Sequence, residues 1–535
     1  MPGRLGVDFG TSNTVLAVWD DSRGEAVPLA LADYAAPRVQ ASEGVATEPV
    51  PTIPSLIHYG PQNTRWIGAQ VAGRNLGHSE RTFRFMKRYI ANRSLVQVRV
   101  DGKPISHFDA GRDFLAAVLG MAATELGLAD EEIGVTVPVE AYEHYEDWLL
   151  GVAEAAGMRR VRLIDEPSAA ALGYGAHIQP GHLYLIFDFG GGTLDVSVVC
   201  IEEADAAATG RRCRVLGKAG TPLGGVTIDQ WLFQEVLRQS GRSDGDAEVR
   251  RVSGLLLTEC EQAKIRLSLE DRADITVVDP QTGAVLAAEF TRDTFEELLD
   301  RHEALRRVDE TIRRALNDAR ERGYTEDDLN AVLLVGGSSA MPCVRRTVQR
   351  IFGRERVRLD RPFDAVARGA AALVAGVDFF DHIQHSYAIR HVDSRKGHYS
   401  YRELVKRGTP YPTKEPLARL TIKASHKGQT QLGLAIFELG EQHRPSAGRP
   451  VELVFDPSGA ARLAEVTPDD EQRRAQFWIN EQNPTFLRAD PPAAQGEPCF
   501  EVESGVDANK RLLITARDLR TGKLTHRDYP VVKLT

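Results

Sequence analysis

The chain has 535 residues, 42% hydrophobic and 26% charged, and its 66 basic and 75 acidic side chains give a formal charge of −9. At roughly 150 residues per domain this length predicts about three to four domains, large enough to fold without a disulfide or metal staple. The acidic balance argues against a dedicated nucleic-acid binder, whose footprint is a basic domain. Five cysteines (Cys200, Cys213, Cys260, Cys343, Cys499) form no CxxC pair, which points away from a disulfide framework or zinc site and towards a reducing compartment. The first residues lack the apolar core of a signal peptide, and no apolar run approaches the roughly 20 residues of a spanning helix. The expectation is a soluble, cytoplasmic protein with no nucleic-acid and no membrane partner.

In chain order, apolar stretches at 5–7 and 15–18 flank Asp8-Phe9-Gly10-Thr11-Ser12-Asn13-Thr14. Stretches at 183–187 and 196–201 flank Asp188-Phe189-Gly190-Gly191-Gly192-Thr193-Leu194-Asp195. Both read as strand–turn–strand hairpins with glycine at the turn, and two of one design predict a duplicated α/β lobe. Between them, Phe114, Leu115, Val118, Leu119 and Ala122 give helical spacing over 111–128. A short strand at 133–137 closes on Pro138, and a helix over 142–157 takes Gly157 as its C-cap. A strand at 161–164 precedes a helix at 169–174. Further helices are predicted at 228–238, 252–268 and, as one long element, 292–322. A strand at 331–335 runs into Gly336-Gly337-Ser338-Ser339, Pro342 suits the first turn of the next helix, and 364–376 is a last alanine-rich helix. After about residue 376 alternation takes over, at 387–392, 399–405, 417–423, 431–438, 451–455 and 511–517. Turn signals at Gly408-Thr409-Pro410, Asp456-Pro457-Ser458-Gly459 and Thr521-Gly522 separate several of these runs, so this part reads as antiparallel β. Residues 467–498 are expected to form a long loop with one short helix.

A glycine-rich turn aims several backbone N–H groups at one point and makes an anion nest. With hydroxyls from Thr11, Ser12 and Thr193, facing turns at Gly10 and at Gly190, Gly191 and Gly192 would hold a polyphosphate between them. Read singly, each is also an ordinary tight hairpin. Gly336-Gly337-Ser338 adds a third turn leading into a helix N-terminus, which suits phosphate through free amides and dipole. Asp8 and Asp188 stand at equivalent strand ends, and Glu166 follows the strand at 161–164. Three carboxylates beside a polyphosphate point to Mg2+, a hard ion that prefers oxygen ligands; any one of them alone would equally be a cap or turn acid. The 14 histidines form no HExxH or nucleophile–base pattern and are assigned to structure.

An ordered set of motifs resembles the seventy-kilodalton heat-shock chaperone family (DnaK-like), built on the actin-like ATPase fold. It comprises Gly6-Val7-Asp8-Phe9-Gly10-Thr11-Ser12-Asn13, Thr136-Val137-Pro138, Asp165-Glu166-Pro167-Ser168-Ala169-Ala170-Ala171, Phe187 to Asp195, Leu223-Gly224-Gly225, and Leu334-Val335-Gly336-Gly337-Ser338-Ser339-Ala340-Met341-Pro342. The resemblance implies duplicated actin-like (ribonuclease H-like) ATPase lobes over 1–376, a linker at 377–383 and a β-sandwich-like substrate domain over 384–535. It implies ATP or ADP in a cleft, with Gly10, Thr11, Ser12, Asn13, Gly190, Gly191, Gly192 and Thr193 about the phosphates. Asp8, Glu166 and Asp188 would organise Mg2+ and the attacking water. Glu261, Lys264 and Ser268 match a nucleoside-contacting helix, and their spacing puts them on one helical face. Gly224, Gly225, Gly336, Gly337, Ser338 and Asp364 complete the implied site. Clients would be unfolded or extended polypeptides, with co-chaperones as further partners.

Four positions depart from the family pattern. Ala72 stands where the family carries a catalytic lysine, with Arg74 as the nearest basic residue, and Ala340 stands where an arginine stacks on adenine. The linker reads Val377-Asp378-Phe379-Phe380-Asp381 in place of a leucine-rich run, and the helical lid expected beyond the last strands is absent before Thr535. The expected activity is therefore chaperone-like, with slow hydrolysis and a lidless β domain. A nucleotide-sensing scaffold that barely hydrolyses ATP is the alternative, and a small-molecule kinase on the same fold finds no support in the β region.

Overall fold

The computed structural model describes residues 3–534 apart from 39–40, 43–44, 47–48, 129, 139–142, 176–180, 203–211, 377–382, 384–385, 393–398, 408, 410, 412, 414, 440–450, 456–460, 466–475, 481–483 and 508–510. Linker residues 377–382 and the turn at 456–459 lie outside the described residues. The chain divides into two compact units, one of residues 1–139, 148–380 and 450–465, the other of 140–147, 381–449 and 466–535.

The first unit holds the duplication. Strands β1 (Leu5–Phe9), β2 (Asn13–Asp20), β3 (Glu25–Pro28), β4 (Glu132–Val137) and β5 (Arg160–Asp165) belong to one seven-stranded sheet and run in the order β3-β2-β1-β4-β5, with Val50–Pro54 and Ala36–Arg38 continuing it from β2. Strands β6 (Leu183–Phe189), β7 (Leu194–Glu202), β8 (Arg212–Thr221), β9 (Leu329–Val335) and β10 (Val357–Arg358) form a second in the order β8-β7-β6-β9-β10. In each sheet a hairpin supplies the first two strands and a parallel neighbour supplies the next. The central strands are apolar on both faces, as parallel sheets covered by helices require: all seven residues of β6 are buried. The chain is thus an α/β protein of duplicated actin-like lobes, followed by an antiparallel β-sandwich-like domain.

The described helices are α1 (Ala69–Gly73), α2 (Met86–Ala91), α3 (His107–Leu126), α4 (Glu143–Ala155), α5 (Glu166–Gly173), α6 (Gly225–Gln239), α7 (Ala247–Leu269), α8 (Arg292–Arg301), α9 (Ala304–Arg320), α10 (Pro342–Phe352) and α11 (Ala365–Val374). Local chemistry sets their ends. Ser106 and Asp109 close a capping box on α3, Gly127 terminates it in the left-handed region, and Pro342 occupies the first turn of α10. Helix α5 starts earlier than its apolar run because the Asp165 side chain accepts the Ser168 N–H at 3.0 Å. Helices α5 and α11 cross with their backbones in contact: a Cβ on Gly369 would lie 1.6 Å from the Ala169 carbonyl oxygen, and one on Gly173 1.7 Å from that of Ala365.

Residues 292–322 are two helices instead of one. Phe295, Leu298 and Leu299 are buried on α8, whereas α9 buries Ala304, Val308, Thr311, Ile312, Ala315 and Ala319. At 3.6 residues per turn these stripes are about half a turn out of phase, so an unbroken helix would aim the second away from the core. Glu303, in the left-handed region at φ 54°, resets the phase.

In the second unit, Tyr399–Val405, Ser386–Val392, Ile436–Leu439 and Gln476–Trp478 form one antiparallel sheet. Ala418–Lys423, Pro498–Val506, Arg511–Asp518 and Leu524–Lys533 form another, and Gln429–Leu434 pairs with Thr485–Ala493. Their inward residues, among them Tyr387, Leu420, Leu487, Phe500 and Ile514, make one apolar core. The loop expected over 467–498 is a misreading for its described part, which forms the strands Gln476–Trp478 and Thr485–Ala493. Pro491 and Pro492 are tolerated because that second strand has a partner on one side only. No described helix is long and apolar enough to cross a membrane. Of the cysteines described, Cys260, Cys343 and Cys499 are free and buried, and Cys200 is buried.

Candidate functional site

The two hairpin turns of the first unit face one another. A Cβ on Gly191 would lie 2.6 Å from the Ser12 hydroxyl oxygen, and one on Gly192 2.6 Å from that of Thr11. A side chain at either glycine would push the Ser12 and Thr11 hydroxyls aside. Each turn is fastened from behind. The Ser55 hydroxyl donates to the Gly10 carbonyl at 2.8 Å, and the Ser55 N–H to that of Ser12 at 2.9 Å. In the second turn the Gly190 N–H meets the Thr193 carbonyl at 3.0 Å. The Gly225 N–H and the Ser338 hydroxyl both donate to the Gly190 carbonyl, at 3.0 and 2.8 Å, and the Val226 N–H donates to that of Gly191 at 2.8 Å. Gly224, Gly225, Gly336 and Ser338 thus gather around the second turn, whereas Gly337 lies against the Phe363 ring.

Asp8 and Asp188 close the strands that enter these turns, and Glu166 opens α5 beside them. Burial, then the neighbouring Glu166, raises Asp8 to about 7, against the opposing effects of Lys87 and of the Thr136 hydroxyl, which donates to it at 3.1 Å. Asp188 is pushed well up by burial and by Glu166, Asp195 and Asp8. The three acids thus feel one another at the same end of the turns. Glu166 forms a buried ion pair with Lys87, presented by α2. Among the described residues no three carboxylate, imidazole or thiolate groups close into a ready-made metal cluster. The donors are nonetheless all oxygen, and Asp8 and Asp188, raised by burial and by their acidic neighbours, gain from a hard cation, so this set fits magnesium with several waters retained.

On α7, Lys264 donates to the Gly225 carbonyl at 3.0 Å and pairs with Asp229 at 2.8 Å. Burial raises Asp229 to about 6 although Lys264 opposes it. Glu261 lies 3.6 Å from Arg84, whose guanidinium also donates to Thr258 at 3.2 Å. Ser268 does not join this group in the described contacts: its hydroxyl donates to the Lys264 carbonyl of its own helix. Asp364 precedes α11 and is held by Arg368, a structural tie at the edge of the site. A cleft of about 330 Å3 opens beside the first turn, lined by Thr11, Ser12, Asn13, Ala72, Arg84 and Glu261 among others.

A family model described as Hsp70 protein matches residues 4–438. The chain belongs to the Hsp70 family. It is also 28% identical to the chaperone protein DnaK of Deinococcus proteolyticus, over 98% of this chain and 78% of that protein. Hsp70 proteins in general are ATP-dependent chaperones that bind ATP or ADP with Mg2+ and act on unfolded polypeptides with co-chaperones. Against that background two basic residues of the site stand out because sequence reasoning passed over them. Lys87 and Arg84 lie on or just before the short helix α2 and meet partners far along the chain, so no local spacing marks them. Arg74, the basic residue nearest Ala72 in sequence, lies over the Trp66 ring at 5.5 Å and donates to the Gln70 carbonyl.

Proposed function

We propose that this Hsp70 protein binds Mg-ATP across the paired turns, hydrolyses it slowly, and holds extended polypeptide on its β domain. The observation that carries the reading is the close approach of Gly191 and Gly192 to Ser12 and Thr11, with Asp8 and Asp188 at the matching ends of both hairpins. Amides and hydroxyls of both turns bind the phosphates; Lys264 and Glu261 serve the nucleoside side, and Asp8, Glu166 and Asp188 would hold magnesium, which when bound neutralises phosphate charge. Glu166 and Asp188 orient the attacking water, and Thr193 supplies a hydroxyl beside it. Residues 1–376 are the nucleotide-binding domain, 377–383 the linker and 384–535 the polypeptide-binding domain of this proposal.

Slow turnover is argued from Ala72, which lines the cleft with Thr11, Ser12 and Asn13 and offers only a methyl group. Introducing a cation there, Ala72→Lys, should speed hydrolysis by on the order of 10²–10³ at nearly unchanged ATP affinity. The same methyl group favours the second reading, a nucleotide-sensing scaffold with little hydrolysis. Two measurements decide. Calorimetry of ATP with and without Mg2+ should show Asp8→Ala and Asp188→Ala weakening Mg-ATP far more than metal-free ATP; equal affinity in all three proteins ends the site assignment. Single-turnover hydrolysis with and without an unfolded apolar peptide should be slow and peptide-sensitive. Tight ATP binding with no turnover under either condition selects the scaffold.

A further inference from the structure

Three carboxylates meet at one end of the paired turns, and a bound nucleoside triphosphate would bring its own negative charge to the same place. Buried like charges are tolerated when a proton or a cation stands among them. Among the described residues, the basic groups around the cleft are already divided by position. Lys264 stands at the glycine side of the second turn, on the Gly225 carbonyl and Asp229. Arg84 reaches Thr258 and Glu261 on α7, Arg38 lies over the Phe363 ring at 5.3 Å, and Arg74 lies over Trp66. At the acid end Lys218 is engaged by Asp165, and Lys87 is paired with Glu166 while its charge also acts on Asp8 and Asp188.

Its place is built by the fold. Phe85, in the left-handed region at φ 56°, turns the chain into α2, and Met86, Tyr89 and Ile90 bury that helix on both sides of Lys87. The side chain leaves a fixed base and is itself 9% exposed. An ammonium carries three donors, so one cation can serve a carboxylate and a phosphate oxygen together.

We propose that Lys87 meets the terminal phosphate of a bound nucleoside triphosphate, standing between the acidic cluster and the ligand's outermost charge. This rests on the nucleotide reading above and extends it: Lys264 and Lys87 place a cation at each end of the polyphosphate, and Lys87 makes the site distinguish triphosphate from diphosphate.

The test is calorimetric titration of full-length protein with MgATP and with MgADP, for wild type, Lys87→Met, Lys87→Arg, Glu166→Gln and the pair Lys87→Met/Glu166→Gln, alongside thermal melts. The double variant avoids leaving Glu166 without its partner, and Glu166→Gln is its reference because it carries the same loss at the magnesium site. Lys87→Met relative to wild type, and the double variant relative to Glu166→Gln, should bind MgATP at least about tenfold more weakly, the loss of one charge-assisted hydrogen bond, while MgADP changes by less than about threefold. Lys87→Arg should retain part of the preference. An ATP-to-ADP ratio unchanged between Glu166→Gln and the double variant, or equal losses for both nucleotides, overturns the proposal and leaves Lys87 a purely structural partner of Glu166. Wild-type protein that binds neither nucleotide would refute the nucleotide reading itself, and this proposal with it.

Discussion

Gly224→Ala adds one methyl group at the joint between the second turn and α6. Gly224 has φ −148° and ψ 177°, an extended conformation that alanine adopts freely, so the perturbation is steric alone. Its Cβ would lie 2.3 Å from the Gly191 carbonyl oxygen and 2.4 Å from the Gly192 carbonyl carbon, where ordinary contact begins at 3.4 Å. Both are backbone atoms with no rotamer to yield, so turn and helix must part by about 1 Å, straining the Gly225–Gly190 and Val226–Gly191 hydrogen bonds. Overpacking of this kind destabilises by about 1–3 kcal/mol. A displacement of about 1 Å in groups that position a reacting phosphate lowers the single-turnover rate by on the order of 10². Stopped-flow hydrolysis and ATP calorimetry, each beside a urea melt, measure the two effects separately. Wild-type affinity and rate at wild-type stability would refute the reasoning. So would a rate loss that merely follows the unfolded fraction.

Gly120→Ala is the opposite case. It lies within α3 with no atom within 4 Å of an added Cβ, so urea unfolding should show a gain of about 1 kcal/mol. His107 supplies a pH test. Burial lowers it to about 4, beneath Tyr89 at 4.1 Å between ring centroids. Below its ordinary value of 6.5 the unfolded chain takes up a proton that the folded chain refuses until about pH 4. Stability should therefore fall as pH drops from 6.5 to 4, by on the order of 3 kcal/mol. Urea melts across that range should show a shallower fall in His107→Leu than in wild type, and identical slopes would remove His107 as the cause.

The duplicated hairpins were legible because their signals are local: glycines at the turn, apolar runs on both sides, and an acid at each strand end. Capping chemistry placed Pro342 and Gly157 correctly for the same reason. The break at Glu303 was not legible, since it follows from the direction of the core and carries neither glycine nor proline. The strand Thr485–Ala493 was hidden by Pro491 and Pro492, which read as loop until its edge position is known. At the site, helical spacing put Glu261, Lys264 and Ser268 on one face, but could not show that Ser268 spends its hydroxyl on its own helix. Lys87 meets Glu166 across 79 residues of sequence, and only the packing of α2 brings them together.

The crossing of α5 and α11 has a mechanical meaning. Where side chains interdigitate, two helices can shift against one another by changing rotamers. Here carbonyl oxygens of each helix rest on the bare backbone of the other, at Gly369 and at Gly173. Sliding would drive those oxygens into Cα atoms, and because the two contacts lie about one turn apart on each helix, turning about either one displaces the other. The joint therefore behaves as a clamp that fixes crossing angle as well as position. Glu166 sits at the first turn of one of its two arms. The clamp ties the place of that carboxylate to α11.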